Sequence, residues 1–207
     1  MHRLFALPAL LLLATLAHAD EQTRAVPAFS AINSKGPISV LIEAGKTQSV
    51  VVSGNTKFVS EVITEVVGDE LRISMKDKNS KSASGDPKVT ITLPALRQLK
   101  IEGAGVTALN NISGDRLDVS YQGAGSLKAN GKVKWLRLKA QGVGEVDTKA
   151  LNADRVDVEF EGIGTVKVFA NELLNAVVQG MGTLTYYGNP RTVNKSVQGI
   201  GSVSSGS

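Results

Sequence analysis

Catalytic chemistry has few residues to work with in this chain. The two histidines, His2 and His18, both lie within the first 19 positions, and there is no cysteine. Beyond residue 19, Ser-His-Asp and Cys-His machinery and the usual zinc ligand sets therefore cannot be assembled. Ser-Lys pairs and paired carboxylates are what remain. Glu159 with Glu161 and Asp154 with Asp157 are the candidate carboxylates, but they lie where a solvated strand face would put them. Glycoside hydrolysis asks for two carboxyls at a set separation, one of them held protonated by its surroundings, and no such asymmetry is written in the sequence. A polysaccharide-degrading enzyme using calcium, carboxylates and a basic residue is the alternative catalytic reading, without a G-G-x-G-x-D calcium repeat to support it. The expectation is that the protein is not an enzyme and needs no cofactor or metal.

Binding chemistry has a little more material. Sugar recognition favours aromatic platforms, and the chain carries one tryptophan, Trp135, with Tyr121, Tyr186 and Tyr187. Trp135 neighbours Leu136 in an alternating stretch, so it points outward, either as a contact residue or folded over an edge. Tyr186 and Tyr187 precede the turn Gly188-Asn189-Pro190 and could serve either role. Tyr121 shares the inward parity of Phe160 and belongs to the core.

The elements that position these residues are written as a repeat. Apolar, Glu or Gln, Gly, apolar, Gly occurs six times, with glycine pairs Gly103/Gly105, Gly123/Gly125, Gly142/Gly144, Gly162/Gly164, Gly180/Gly182 and Gly199/Gly201. First glycines are 20, 19, 20, 18 and 19 residues apart. A phosphate cradle built on G-x-G needs a strand-to-helix turn. Here two-residue alternation precedes each copy (Leu117, Val119, Tyr121; Leu136, Leu138, Ala140; Val156, Val158, Phe160), which marks strands with one buried face. The glycines read as structural turns. A unit of 19–20 residues is too short for a helix pair or a propeller blade, and predicts one coil of a β-solenoid.

Outward positions agree with in-register stacking. Asp118, Arg137 and Asp157 alternate in sign down one column, as do Lys128, Asp147 and Lys167 down another. The column before the first glycines (Glu102, Gln122, Gln141, Glu161, Gln179, Gln198) never sets two glutamates side by side. The sequence leaves open whether the residue between the glycines faces the core or a partner. Strands are also expected at 38–42, 49–52, 71–75 and 89–93, as irregular first coils over residues 26–100 leading into the repeats at 101–203. A polar loop is expected at 76–87.

The N-terminus carries an address. Met1-His2-Arg3, an apolar run of 13 residues from Leu4 to Leu16, and Ala17-His18-Ala19 read as a signal peptide over residues 1–19 cleaved after Ala19. Residues 20–207 then form a single domain, exported to the periplasm or beyond, with no membrane span. The net charge of +4 is mild and interspersed, which gives no support to nucleic-acid binding. No cysteine means no disulfides.

Phe29-x-x-Ile32, Thr64-Glu65-Val66, Leu71-x-Ile73 and Ile91-Thr92-Leu93-Pro94-x-Leu96 lead into Gly103-Ala104-Gly105 and the serial G-x-G turns. This combination resembles the bacterial family called the putative auto-transporter adhesin head, GIN domain, over nearly all of residues 26–203. The resemblance implies an all-β, right-handed parallel β-helix (β-solenoid) in an envelope or extracellular setting, with no catalytic residues to carry over. The resulting expectation is a non-enzymatic protein for binding or adhesion at the cell envelope, its glycan or protein partner unnamed. A structural envelope-assembly role through a protein partner is a further alternative. No helix follows Gly199–Val203 to cover the last repeat, which predicts homo-oligomers through the solenoid end.

Overall fold

A computed structural model of the chain describes residues 20–76 and 87–207. The expected signal peptide, its cleavage point and nearly all of the 76–87 loop lie outside these residues. Apolar residues at every second position dictate strands throughout. In order they are β1 (Asp20–Thr23), β2 (Ala31–Lys35), β3 (Ser39–Ala44), β4 (Ser49–Gly54), β5 (Val62–Val67), β6 (Glu70–Met75), β7 (Lys88–Leu93), β8 (Gln98–Tyr187), β9 (Thr192–Gly199) and β10 (Ser202–Ser205). The single helix among the described residues, α1 (Thr56–Glu61), is six residues long. Its N-cap is Asn55, whose side-chain oxygen accepts from the Phe58 N–H at 2.8 Å. Phe58 and Val59 are buried on the sheet.

All ten strands belong to one sheet, ordered β1-β4-β7-β3-β8-β2-β6-β5, with β9 and β10 paired to β8. That sheet is mixed, which corrects the expectation of a right-handed parallel β-helix. β1·β4, β4·β7 and β5·β6 run antiparallel, while β2 and β3 pair with β8 in parallel, as do β9 and β10. The physical reason lies in the connections. Antiparallel neighbours can be joined by a tight turn, whereas parallel ones need a long return. Gly68-Asp69 turns β5 directly into β6, with Gly68 at φ 65°. Gly45 opens the turn that reverses β4 relative to β3.

The paired glycines, expected as turns, lie mostly within strand. Gly103, Gly105, Gly123, Gly125, Gly142, Gly144, Gly162, Gly164, Gly180 and Gly182 all lie inside β8, where the backbone stays in strand for 90 residues. Gly199 is the last residue of β9, and only Gly201 falls outside a strand, between β9 and β10. Glycine is required here by the close approach of one repeat to the next. The backbone nearest Gly142 is that of Gly123, and the backbone nearest Gly162 is that of Gly142. The second glycines stack in the same way: a Cβ on Gly144 would lie 2.0 Å from the Gly125 carbonyl oxygen, and one on Gly164 2.0 Å from that of Gly144. The last two pairs end differently. At Gly182 the obstacle is a side chain, the Phe160 ring at 1.9 Å, and at Gly201 it is shared by the Gly182 carbonyl oxygen and Val178, both at 2.8 Å.

Inward positions of the stacked repeats form continuous apolar columns. One reads Leu99, Val119, Leu138, Val158, Ala176, and the next reads Ile101, Tyr121, Ala140, Phe160, Val178, all buried. Large and small side chains trade volume down the second column. The last repeat departs from this scheme. β9 places Lys195 opposite Ala176, in line with an otherwise apolar column, and Lys195 is exposed.

Tyr121 sits in the core as its parity predicts, yet its hydroxyl finds no hydrogen-bond partner among the described residues. Desolvation by burial pushes its pKa up. A void of about 10 Å³, bordered by Ala140, Val146 and Phe160, lies beside it, about the smallest space that holds a water. An unpaired buried hydroxyl costs about 1–3 kcal/mol. Tyr121→Phe is therefore expected to raise the thermal unfolding midpoint, by about 1 kcal/mol of added stability. A fall in the midpoint would show that the hydroxyl is satisfied by a water held in that void.

Candidate functional site

Two outward columns of β8, offset by two residues, make a concave polar face. Gln98, Asp118, Arg137, Asp157 and Asn175 form one, and Ser120, Lys139, Glu159 and Val177 the other. Together with Arg116 they line a cleft of about 500 Å³. Each repeat contributes one residue per column, because the stacked first glycines follow a few residues later and hold the repeats in register. A second cleft of about 550 Å³, between Asp69, Arg97 and Asp115, shares Gln98, Arg116 and Asp118 with the first. The two form one continuous depression.

Most charges on this face are tied down. The Arg116 guanidinium donates to both oxygens of Asp118, at 2.9 and 3.1 Å from Nε. Arg155 Nε donates to Asp157 Oδ2 at 3.1 Å. Lys139 Nζ donates to Glu159 Oε1 at 3.4 Å. In the adjoining cleft Arg97 Nη2 reaches Asp69 Oδ2 at 2.5 Å. Arg137 is different. It lies in the middle of its column with no hydrogen bond or ion pair to any described residue. The alternating Asp118-Arg137-Asp157 column thus exists as a register but not as ion pairs. Each aspartate is taken by an arginine two residues before it on its own strand, which leaves the Arg137 guanidinium open to the cleft.

Asp157 is the organising acceptor. Trp135 Nε1 donates to its Oδ2 at 2.7 Å, and Asn175 Nδ2 to its Oδ1 at 2.6 Å, alongside Arg155. Burial acts to raise the Asp157 pKa. The hydrogen bonds from Asn175, Arg155 and Trp135, with the Arg155 charge, outweigh it and hold the carboxyl below its usual range. Asn194 extends the chain by donating to Asn175 at 2.9 Å.

Trp135 does point outward, but its ring is not open. The Arg116 guanidinium lies 4.1 Å from the ring centroid and that of Arg155 lies 4.6 Å away. They come from the preceding and following repeats, so the ring is held between two cations and presents no free face for stacking a sugar. Tyr186 packs partly buried against the core. Its carbonyl accepts from the Gly206 N–H at 2.8 Å, and Gly206 itself lies against the Tyr187 ring. Both tyrosines are thus flanked by the chain's own C-terminal strand, and neither borders the cleft. The paired carboxylates considered for catalysis go to separate partners: Glu161 accepts from Gln141 at 2.7 Å, and Asp154 from Asn171 at 3.1 Å. Among the described residues, no three His, Cys, Asp or Glu gather in a way that could hold a metal ion. No helix among them is long and apolar enough to cross a membrane.

The overall architecture recurs in solved structures. A putative adhesin from Bacteroides fragilis NCTC 9343 superposes with a TM-score of 0.72 at 23% identity, over 92% of this chain and 98% of that one. One from Parabacteroides merdae ATCC 43184 gives 0.56 at 18% identity, over 92% and 97%. One from Parabacteroides distasonis ATCC 8503 gives 0.51 at 19%, over 91% and 97%. At these identities the likeness is one of fold. No curated protein matches the sequence. The sequence itself matches the model of one family over residues 28–190, from just before β2 to the turn that precedes β9, and so takes in the strands that form the cleft. On that match, the chain belongs to the family described as putative auto-transporter adhesin, head GIN domain.

Proposed function

We propose that this chain is an exported, non-enzymatic binding protein of the cell envelope, and that its contact surface is the cleft around Arg137. The observation that carries the reading is the unpaired guanidinium at the centre of a face whose other charges are neutralised in place. A ligand carrying a carboxylate or sulfate can take both arms of Arg137 in a bidentate contact. Ser120, Gln98 and Asn175 offer neutral hydrogen-bonding groups around it, a combination suited to an acidic glycan. The cleft carboxylates support binding over bond cleavage, since each is engaged by a basic or amide donor. Family membership supports an adhesive role, and the apolar run at residues 4–16 supports export.

Glycan-array binding of the purified protein, with Arg137→Ala and Trp135→Ala beside it, tests this. Arg137→Ala should weaken selective binding to acidic glycans about 10-fold or more, the value of a charge-assisted contact. Trp135→Ala should act only through the placement of Arg116 and Arg155. Binding that survives Arg137→Ala unchanged, or that is confined to neutral glycans, sinks the assignment of this cleft. Appearance of new reducing ends or unsaturated products in the same incubations would replace the binding reading with the polysaccharide-degrading one.

A further inference from the structure

The residues between the paired glycines form a surface of their own. Strand parity runs unbroken through each motif. Tyr121 and Leu127 are buried, Gly123 and Gly125 share their inward parity, and Ala124 faces out. The same count turns Ala104, Val143, Ile163, Met181 and Ile200 outward. All six are exposed, Val143 at 55%, Ile163 at 47%, Met181 at 54% and Ile200 at 84%. With neighbouring repeats one strand spacing apart, they make an apolar ridge about 24 Å long. Contiguous exposed apolar surface of this kind marks an interaction site.

We propose that the ridge is a dimer interface occupied by a second copy of this chain, the two ridges running antiparallel about a twofold axis between Val143 and Ile163. Two independent features select that partner and that direction. The first is volume. The ridge grows from alanine at one end to methionine and isoleucine at the other. Antiparallel pairing sets Ala104 against Ile200, Ala124 against Met181 and Val143 against Ile163. Every layer then joins a smaller residue to a larger one, and the contact stays even along its length. Parallel pairing would leave a gap at the alanines and a collision at Ile200.

The second feature is charge. The flanking row reads Glu102, Gln122, Gln141, Glu161, Gln179, Gln198. A twofold axis across the ridge brings this row against itself in reverse, so Glu102 meets Gln198 and Gln141 meets Glu161. Each carboxylate then faces an amide that can donate to it. Parallel pairing would instead turn this row against the opposite flank of the ridge and set the Glu102 carboxylate against the exposed Val106 side chain, which offers it no donor. An isologous contact of this sort closes on itself and stops at two copies. It uses a different surface from the Arg137 cleft and does not depend on what that cleft binds.

The chain contains no cysteine, so introduced thiols report the geometry without background. The protein is expressed as Ala124→Cys and, separately, Met181→Cys. The two variants are then oxidised mildly, alone and mixed in equal amounts. The mixture should give a disulfide-linked dimer several-fold more abundantly than either variant alone. Sedimentation of the unaltered protein should show a concentration-dependent monomer–dimer equilibrium. Val143→Asp should shift it to monomer, with a thermal midpoint equal to that of the unaltered protein at dilutions where both are monomeric, because the residue is exposed. A monomer at every concentration overturns the proposal. So does efficient self-linking of either single variant, or a dimer in which both thiols stay free.

Discussion

Gly142→Ala should destabilise the protein by about 3–5 kcal/mol, enough to leave little of the fold at physiological temperature, while Gly114→Ala should cost about 1 kcal/mol. Both glycines have positive φ, 117° at Gly142 and 148° at Gly114, so both substitutions strain the backbone. Only the first also meets another chain segment. A Cβ at Gly142 would collide with the carbonyl oxygen of Gly123, whereas one at Gly114 meets nothing within 4 Å. Backbone cannot move aside here without pulling apart two repeats, and the whole stability of a domain this size is about 5–15 kcal/mol. Urea unfolding of the two variants measures the difference. Equal losses at the two sites would show that backbone strain, not the contact between repeats, makes glycine necessary.

The second large effect is expected at Asp157. Asp157→Ala removes one acceptor from three donors at once and leaves Arg155, Trp135 and Asn175 unsatisfied beside the cleft. A cost of about 2–3 kcal/mol follows for a hydrogen-bonded charge removed from its partners. Trp135 is the single tryptophan, so its fluorescence reports the site directly and should shift in the variant. The pH dependence has a definite sign. A carboxyl whose pKa is lowered on folding adds stability that is complete above its unfolded value of about 3.9 and is lost as pH falls through the folded value. The wild-type thermal midpoint should therefore fall on the acid side with a matching change in Trp135 emission. Asp157→Asn should lose that emission change. An unchanged emission titration in Asp157→Asn would assign the acid transition to other carboxylates.

The strands are legible in the sequence because their signal is local. Stretches expected at 38–42, 49–52, 71–75 and 89–93 correspond to β3, β4, β6 and β7, since a half-buried strand must alternate. Direction is not legible. Val50 and Val52 alternate identically whether their neighbour runs parallel or antiparallel, and only the short turns at Gly45 and Gly68 decide it. An all-parallel reading extends the logic of the repeats into a region that reverses. Glycine itself is ambiguous in the same way: it permits a turn and it permits close contact, and the sequence around Gly144, Gly164 or Gly182 does not say which is needed. Nor does alternation reveal α1, although Asn55 followed by Thr56-Lys57-Phe58 carries an N-cap signal. The outward course of the G-x-G middle residues can be counted from parity alone, from Tyr121 to Leu127 or from Ala140 to Val146. Arg137 cannot be singled out that way. Its isolation depends on Asp118 and Asp157 choosing partners within their own strands over lateral ones. The same choice hides both faces of Trp135, which composition alone makes the natural contact residue.

Lys195 gives the end of the sheet a property of its own. β9 is the kind of terminal strand on which fibre growth starts: one face of its backbone bonds is taken by β8, and its residues lie in line with a ready-made apolar track. A new strand laid on it would have to strip water from the Lys195 ammonium next to Ala176, with no acidic partner supplied by that column. A charge at this register position therefore opposes templated addition of a further strand. A strand edge marked in this way offers the repeat architecture as a poor template for further copies.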